Sequence, residues 1–168
     1  PDSAIKGWSV DDLTTYLKKG ELGTKSTVVG PMHSVWQDSL RYLPKSDLHA
    51  IAVYIKNMPA ENSNMAPTTP IKITTNDASL GKHVYAQHCQ TCHQSNGEGK
   101  YGVAPALKGN NLVIADKSNS VVMSILEGFM PSRSWGAMPS FAKDLSNKQV
   151  AAVANYVRTA WNNNSSAD

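Results

Sequence analysis

Only two cysteines, Cys89 and Cys92, occur among the 168 residues of the chain. A structural zinc site usually needs four Cys or His ligands, commonly as two Cys-x-x-Cys pairs or as one pair with a distant His pair, so this scarcity disfavours zinc. Long hydrophobic runs are missing too, because the longest, around 121–126 and 150–157, fall far short of the ~20 residues that cross a bilayer. Lysine and arginine form no cluster at a formal charge of +3, so nothing indicates a nucleic-acid partner. The content of 40% hydrophobic and 17% charged residues is that of a globular protein.

Both cysteines belong to a single motif, which reads Cys-Gln-Thr-Cys-His at 89–93. Cys-x-x-Cys-His is the attachment signature of a c-type haem. Each thiol can add across a haem vinyl group, and His93 is then close enough to the ring to ligate the iron. A thioredoxin-like redox pair would need a βαβ setting, whereas the flanking residues have a helical pattern. The motif therefore predicts one covalently attached haem c.

A segment near the middle of the chain recurs at its end. Residues 43–58 align without a gap on residues 145–160, and both read as amphipathic helices with apolar residues at i, i+3, i+4 and i+7. The second copy begins with a capping box formed by Ser146 and Gln149. Repetition of this quality indicates two copies of one structural unit.

The features that precede the repeated helices are also shared. In each copy a predicted helix ends at a glycine, and a methionine loop follows. The glycines are Gly20 and Gly128, and the methionines are Met32 and Met138. The helix near 78–88 and the haem motif, by contrast, occur once. The front of the first copy, with a haem motif of its own, would therefore lie before position 1.

These patterns predict an all-α protein in four parts. Residues 1–58 are a partial cytochrome c domain that lacks its Cys-x-x-Cys-His half. Residues 59–76, with three prolines among polar residues, are a semi-extended linker. Residues 77–162 are a complete c-type haem domain, and residues 163–168 are a polar tail.

The sixth ligand of the iron should come from one of the methionines that follow the motif. A thioether is a soft donor that raises the reduction potential relative to a second imidazole. Met123 falls within a predicted helix and is expected to pack in the core. Met130 and Met138 both precede prolines, so spacing alone does not separate them. The tight loop around Met138 favours that residue, and Met130 is the alternative.

Other residues are expected to support the haem. A ligating imidazole almost always donates its second N–H to a carbonyl or carboxylate, and Pro105 can present such a carbonyl to His93 from a stiff loop. Gly81, one turn before Tyr85, would let the helix that leads into Cys89 cross the last helix closely. Tyr156 on that last helix is the expected contact.

The compartment is indicated by the haem motif alone. The chain starts at Pro1 with no basic-then-apolar leader, which decides nothing about export. Covalent haem attachment takes place on the outer side of the bacterial inner membrane or its organelle equivalents. We therefore expect a periplasmic protein, at most peripheral at the outer face of the inner membrane.

With these motifs in place, the chain resembles the multihaem cytochrome c subunits of membrane-associated bacterial alcohol, gluconate and sorbitol dehydrogenases over nearly its full length. The resemblance is carried by GWSVDDLTTYLKKGEL, GPMHSVW and DLHAIAVYIKNMP in the first part, and by LGKHVYAQHCQTCHQSNGEG, VAPALKGN and MPSFAKDLSNKQVAAVANYVRTAW in the second. The two parts look like the end of that family's second haem domain and the whole of its third. The chain departs from the family in lacking the first domain, the second domain's haem motif and any membrane-anchoring tail.

The resemblance implies a class I cytochrome c fold and iron ligation by His93 and Met138, with Met32 as a ligand of a second haem if that haem is present. It also implies a dehydrogenase partner that bears flavin or quinone, with ubiquinone or a terminal oxidase as electron acceptor and only an indirect membrane association. Because both axial positions are filled, the chain is expected to transfer electrons and not to be an enzyme. The alternatives are a haem enzyme, such as a peroxidase or a thiosulfate-oxidising cytochrome, and a stand-alone shuttle cytochrome.

Overall fold

The chain folds into two compact helical units. The computed structural model describes residues 5, 7–23, 25–58, 74–131 and 134–163. The units are Pro1–Pro67, here unit 1, and Thr68–Asp168, here unit 2. Helix dominates both units and only two-residue strands interrupt it, so the all-α prediction is confirmed. None of the helices described is long and apolar enough to cross a membrane.

Unit 1 is built on two helices that pack against each other. In chain order its elements are α1 (Val10–Lys19), β1 (Glu21–Leu22), β2 (Ser26–Thr27), α2 (Pro31–Asp38), a 3₁₀ turn (Leu40–Tyr42) and α3 (Lys45–Asn57). A capping box formed by Ser9 and Asp12 begins α1, and Gly20, in the left-handed region at φ 75°, ends it. The core between α1 and α3 consists of Trp8, Leu13, Leu17, Leu48 and Ala52.

Unit 2 places its first and last long helices side by side. Its elements are α4 (Thr75–His88), α5 (Gln90–His93), α6 (Asn111–Ile114), α7 (Asn119–Glu127), α8 (Asn147–Thr159) and a 3₁₀ turn (Ala160–Asn162). The centre of the core is formed by Val84 and Tyr85 of α4, Ile125 of α7, and Val153 and Val157 of α8. All five are buried.

The boundaries of the predicted parts differ from the structure at two places. Helix α4 begins inside the predicted linker, because the hydroxyl of Thr74 accepts a hydrogen bond from the backbone N–H of Asp77 and so caps the helix. Residues 59–73 of that linker lie outside the described residues. Asn163, assigned to the polar tail, is buried instead, and its side-chain amide donates to the carbonyls of Leu107 and Val157. The rest of the tail, 164–168, lies outside the described residues.

The sequence repeat is also a structural repeat. Helices α3 and α8 have 13 residues each and occupy the same span of the aligned segments. The capping box of Ser146 and Gln149 is present at the start of α8. The methionine loops, however, differ: Met138 lies in an isolated bridge with Phe129, whereas Met32 is the second residue of α2. Met32 is helical because Pro31, with its fixed φ, occupies the first position of that helix.

Gly81 lets α4 and α8 cross at close range. A Cβ placed on Gly81 would overlap the backbone carbonyl of Ala152 and approach the Cβ of Tyr156 to 2.8 Å. One turn along α4, the ring of Tyr85 lies 5.4 Å from that of Tyr156. The crossing expected from the sequence is therefore present, and it depends on the missing side chain of Gly81.

Replacing Gly81 with alanine should destabilise unit 2. Helix propensity alone favours alanine by about 1 kcal/mol, but the extra methyl group meets backbone that cannot move aside, and such overpacking costs about 1–3 kcal/mol. We expect denaturant unfolding of the haem-loaded protein, followed by circular dichroism, to reveal a net loss. Lys82→Ala, at the next and exposed position, is the control and should leave stability nearly unchanged. A gain in stability for Gly81→Ala would contradict the close crossing.

Candidate haem site

The haem motif forms a single helical turn at the end of α4. The N–H of Cys89 donates to the Tyr85 carbonyl at 2.9 Å, and the N–H of His93 donates to the Cys89 carbonyl at 3.0 Å. Cys89, Cys92 and His93 are therefore at positions i, i+3 and i+4, which share one face of a helix. Cys89 is half-buried, Cys92 is exposed and His93 is buried. This arrangement fits a flat group bonded through two sulfur atoms, with the imidazole beneath it.

The electrostatics of this turn suit a neutral ligand. Burial lowers the pKa of His93, and the hydrogen bond to the Pro105 carbonyl opposes that change only in part. A neutral imidazole keeps a lone pair for a metal. His93 is therefore neutral at pH 7. Burial, with a smaller contribution from Cys92, also raises the pKa of the Cys89 thiol to about 11.

His93 and Pro105 form the contact expected from the sequence. The Nδ1 atom of His93 lies 2.9 Å from the Pro105 carbonyl oxygen. A carbonyl can only accept, so Nδ1 carries the proton and Nε2 is left with its lone pair. Gly99, at φ 68°, is needed here, because a Cβ at that position would lie 2.6 Å from the Pro105 carbonyl group. The backbone thus fixes the tautomer of His93.

The segment around Met138 is held by backbone hydrogen bonds. Met138 and Phe129 exchange two, at 2.8 and 3.0 Å, directly after Gly128 ends α7. The Met138 side chain is half-buried and packs against the same core cluster as Cys89. Met130 is 80% exposed and Met123 is 47% exposed. The expectation that Met123 packs in the core is wrong, because Val121 and Ile125 occupy the buried face of α7.

The two loops on either side of the site are tied together. The N–H of Gly136 donates to the Val103 carbonyl at 3.0 Å, and the N–H of Gly102 donates to the Ser134 carbonyl at 3.2 Å. The ring of Tyr101 lies 5.9 Å from that of Trp135. The loop that presents Pro105 and the loop that leads to Met138 are therefore one connected structure.

The sequence analysis did not predict the hydrogen bonds that three side chains of unit 2 make to backbone carbonyls. The Tyr85 hydroxyl donates to the Gln94 carbonyl at 2.6 Å, and Trp161 Nε1 donates to the Ser95 carbonyl at 3.1 Å. Arg158 is fully buried and donates to the carbonyls of Val113 and Ala115 near the end of α6. The only signal for Arg158 in the sequence was its position on the apolar α8, where the aligned residue in unit 1 is also a cation.

Met32 is the methionine of unit 1 that the sequence repeat singles out. It is about half exposed on α2, and its neighbour His33 lies 5.8 Å, ring to ring, from Trp36. Met32 is thus an exposed thioether on a helix of unit 1.

Comparison with known proteins identifies the family. Residues 76–157 match the family described as cytochrome C oxidase, cbb3-type, subunit III. The chain is 36% identical, over 97% of its length, to the cytochrome c subunit of alcohol dehydrogenase (quinone) from Komagataeibacter europaeus, of which it covers 37%. It is 32% identical to the fructose dehydrogenase cytochrome subunit of Gluconobacter japonicus, covering 97% of the chain and 39% of that subunit.

A smaller relative matches about half of the chain. Cytochrome c-552 of Thermus thermophilus is 37% identical over 90 residues, which are 48% of this chain and 67% of that protein. The chain thus spans less than two fifths of the dehydrogenase subunits but most of a small cytochrome. These matches agree with the motif at 89–93 and with the helical structure of unit 2. The chain therefore belongs to the c-type cytochromes of class I fold, with covalently bound haem c as its cofactor and electron transfer as its function.

Proposed function

We propose that this chain carries electrons from a partner dehydrogenase to the respiratory chain, through a haem c bonded to Cys89 and Cys92 and ligated by His93 and Met138. The observation that carries this proposal is the position of His93, which is buried on the same helical turn as both cysteines. Its Nδ1 atom donates to the Pro105 carbonyl at 2.9 Å, and burial lowers its pKa, so the imidazole is neutral. When bound, haem c supplies an iron that gains and loses one electron. The protein holds the ligands still while the charge changes.

His93 and Pro105 together supply a well-oriented imidazole. Because Nδ1 donates to a carbonyl, Nε2 points its lone pair away from that bond, and the hydrogen bond increases the basicity of the ring. The 8% exposure of His93 keeps most water away from it. These features favour a stable bond to iron over exchange with solvent.

Met138 is the best supported sixth ligand among the three methionines. Its backbone is held to Phe129 by two hydrogen bonds, and its loop is bonded to the loop of Pro105 through Gly136 and Val103. A single rigid frame can therefore hold a histidine and a methionine on opposite sides of one group. Met130 and Met123 are both exposed, which favours Met138 as the ligand. With two protein ligands the iron has no open position for a substrate.

The partner and the compartment follow from the relatives and from the chemistry of attachment. Two of the relatives named above are cytochrome subunits of dehydrogenases for alcohol and fructose, and the name of the alcohol dehydrogenase includes the word quinone. We propose a partner dehydrogenase that bears quinone or flavin, with ubiquinone or a terminal oxidase as acceptor. The site of covalent haem attachment supports the periplasm, with peripheral placement at the outer face of the inner membrane.

We further propose that unit 1 is the rear part of a second haem domain, completed by a helix equivalent to α4 and by a haem for which Met32 is a ligand. Two positions of α3 support this. Ala50 and Tyr54 are exposed, Tyr54 by 69%, whereas the aligned Ala152 is buried and Tyr156 half-buried against α4. The indole N–H of Trp8 is buried, and no acceptor for it lies among the described residues of unit 1. Both observations fit a missing neighbour.

Substitution of the sixth ligand tests the first proposal. Met138→Leu keeps the size of the side chain but removes its sulfur, so the ferric protein should lose the near-infrared band of methionine ligation and the ferrous protein should bind carbon monoxide readily. The reduction potential should fall. Met130→Leu is the matched control and should keep the parent spectrum. Retention of the band in Met138→Leu together with its loss in Met130→Leu would assign the ligand to Met130.

A charge on the open face of α3 tests the second proposal, in a polypeptide that carries this chain together with the proposed front part of the second haem domain. Ala50→Glu should place a carboxylate between α3 and its proposed neighbour, and should therefore lower the yield of the haem that belongs to unit 1 while the haem at 89–93 is kept. His49→Glu is the control, because His49 is exposed on α3 and the residue aligned with it on α8 is exposed too. Intact mass and absorbance report the haem content. Equal haem content in both variants would contradict the proposed covering of α3.

A further inference from the structure

The residue that follows the axial histidine has a strained backbone. Gln94 lies at φ 65° and ψ 159°. This region is populated essentially by glycine alone, and a side chain there costs about 1–3 kcal/mol. Such strain persists only where the surrounding structure imposes it, and it concentrates at functional sites. Because Gln94 directly follows His93, the contacts that impose this strain also constrain the backbone of His93.

Two side chains from outside the motif hold the turn at Gln94. Tyr85, buried on α4, donates its hydroxyl proton to the Gln94 carbonyl at 2.6 Å. Trp161 donates its indole proton to the next carbonyl, that of Ser95, at 3.1 Å. Each of the two carbonyls after the ligand thus has a dedicated donor.

Trp161 is itself fixed in a strained position. Its φ is 54°, and the following Asn162 has a φ of 65°; with Gln94 these are the non-glycine residues of positive φ in the described chain. The Trp161 ring lies so close to Gly97 that a Cβ there would be 2.5 Å from it. The buried Asn163 locks the chain beyond, since it accepts from the Gly109 N–H at 2.7 Å and donates to the Val157 carbonyl at 2.6 Å.

A closed series of contacts links this turn to the imidazole of His93. The carbonyl of His93, in the peptide that joins it to Gln94, accepts from the Gly99 N–H at 3.0 Å. Gly99 lies directly against the Pro105 carbonyl group. That carbonyl accepts the Nδ1 proton of His93. A change in the conformation of Gln94 can therefore move the His93 ring in two ways. It can shift the backbone of His93, and it can shift the Pro105 carbonyl that accepts the Nδ1 proton of His93.

We propose that Tyr85 and Trp161 are positioning residues for His93, which hold the strained Gln94–Ser95 turn and thereby keep the bond between His93 Nδ1 and the Pro105 carbonyl short. This inference rests on the proposed ligation of iron by His93. Loss of the Tyr85 hydroxyl frees the Gln94 peptide to leave its strained conformation. The Nδ1 bond then weakens, the imidazole becomes a poorer donor to ferric iron, and reduction becomes more favourable.

Tyr85→Phe in the haem-loaded protein tests this inference. The variant keeps the ring in the aromatic cluster and removes only the donor. We expect the equilibrium constant for reduction to rise by about threefold to tenfold, which is about 28 to 59 mV for a one-electron couple. Exchange of the His93 Nδ1 proton with solvent, followed by NMR, should accelerate by about tenfold, because the bond that protects it opens more often. The near-infrared band of methionine ligation should remain.

Tyr156→Phe is the matched control. Tyr156 belongs to the same aromatic cluster, 5.4 Å from Tyr85 and 5.7 Å from Trp161, and its hydroxyl makes no hydrogen bond within the described residues. The potential and the exchange rate of this variant should equal those of the parent. A shift of equal size in Tyr156→Phe would indicate a general effect of the cluster and would overturn the role given to the Tyr85 hydroxyl.

A second substitution separates positioning from packing. Gln94→Gly adopts φ 65° without strain, so the turn no longer needs the hydroxyl, and Tyr85→Phe should have little effect in that background. The same shift in both backgrounds would refute the proposal. If Tyr85→Phe attaches too little haem to measure, Trp161→Phe, which keeps an aromatic ring but loses the indole N–H and the ring that carries it, should raise the potential in the same direction, and an unchanged potential would count against the inference.

The outcomes also distinguish this inference from the proposed function. If His93 does not ligate the iron, the parent protein itself will lack the spectrum of histidine and methionine ligation. If the ligation is right and the positioning role is wrong, the parent will have that spectrum and Tyr85→Phe will match it in potential and in proton exchange.

Discussion

The hydrogen bond between His93 Nδ1 and the Pro105 carbonyl is the constraint on which the site depends. It selects one tautomer, orients the ring and leaves the lone pair on Nε2. It also requires Gly99 to approach the Pro105 carbonyl group more closely than any side chain would allow. Burial and this one bond therefore decide together that the imidazole is neutral, oriented and protected before a cofactor is considered.

Around this bond the protein arranges rigid elements in place of flexible ones. Tyr85 comes from α4, Trp161 from the turn after α8, and Met138 from a bridge that closes directly behind α7. Tyr85 is part of the core cluster of unit 2, and Trp161 and Met138 pack against that cluster. An electron-transfer centre benefits from such a frame, because ligands that stay in place lower the free-energy cost of rearrangement when the charge on the iron changes.

Much of this molecule is readable from local patterns in its sequence. The haem motif, the capping box at Ser146 and the repeated helices depend on neighbours within a few residues, and all three are present in the structure. The strained Gln94 and the buried Arg158 were beyond reach, because both are stabilised by partners far away in the chain. Met123 was misjudged for a related reason: helical periodicity identifies a stripe of apolar residues, but only the packed neighbours decide which of them face inward.

The contact of α4 with α8 has a consequence for how such proteins grow. A unit whose opening and closing helices are neighbours starts and finishes on one side of its surface. Copies of it can be strung along a polypeptide by tandem duplication, and no copy has to give up part of its own interior to be joined to the next. The repeat in this chain, and the greater length of its relatives, are what that geometry permits.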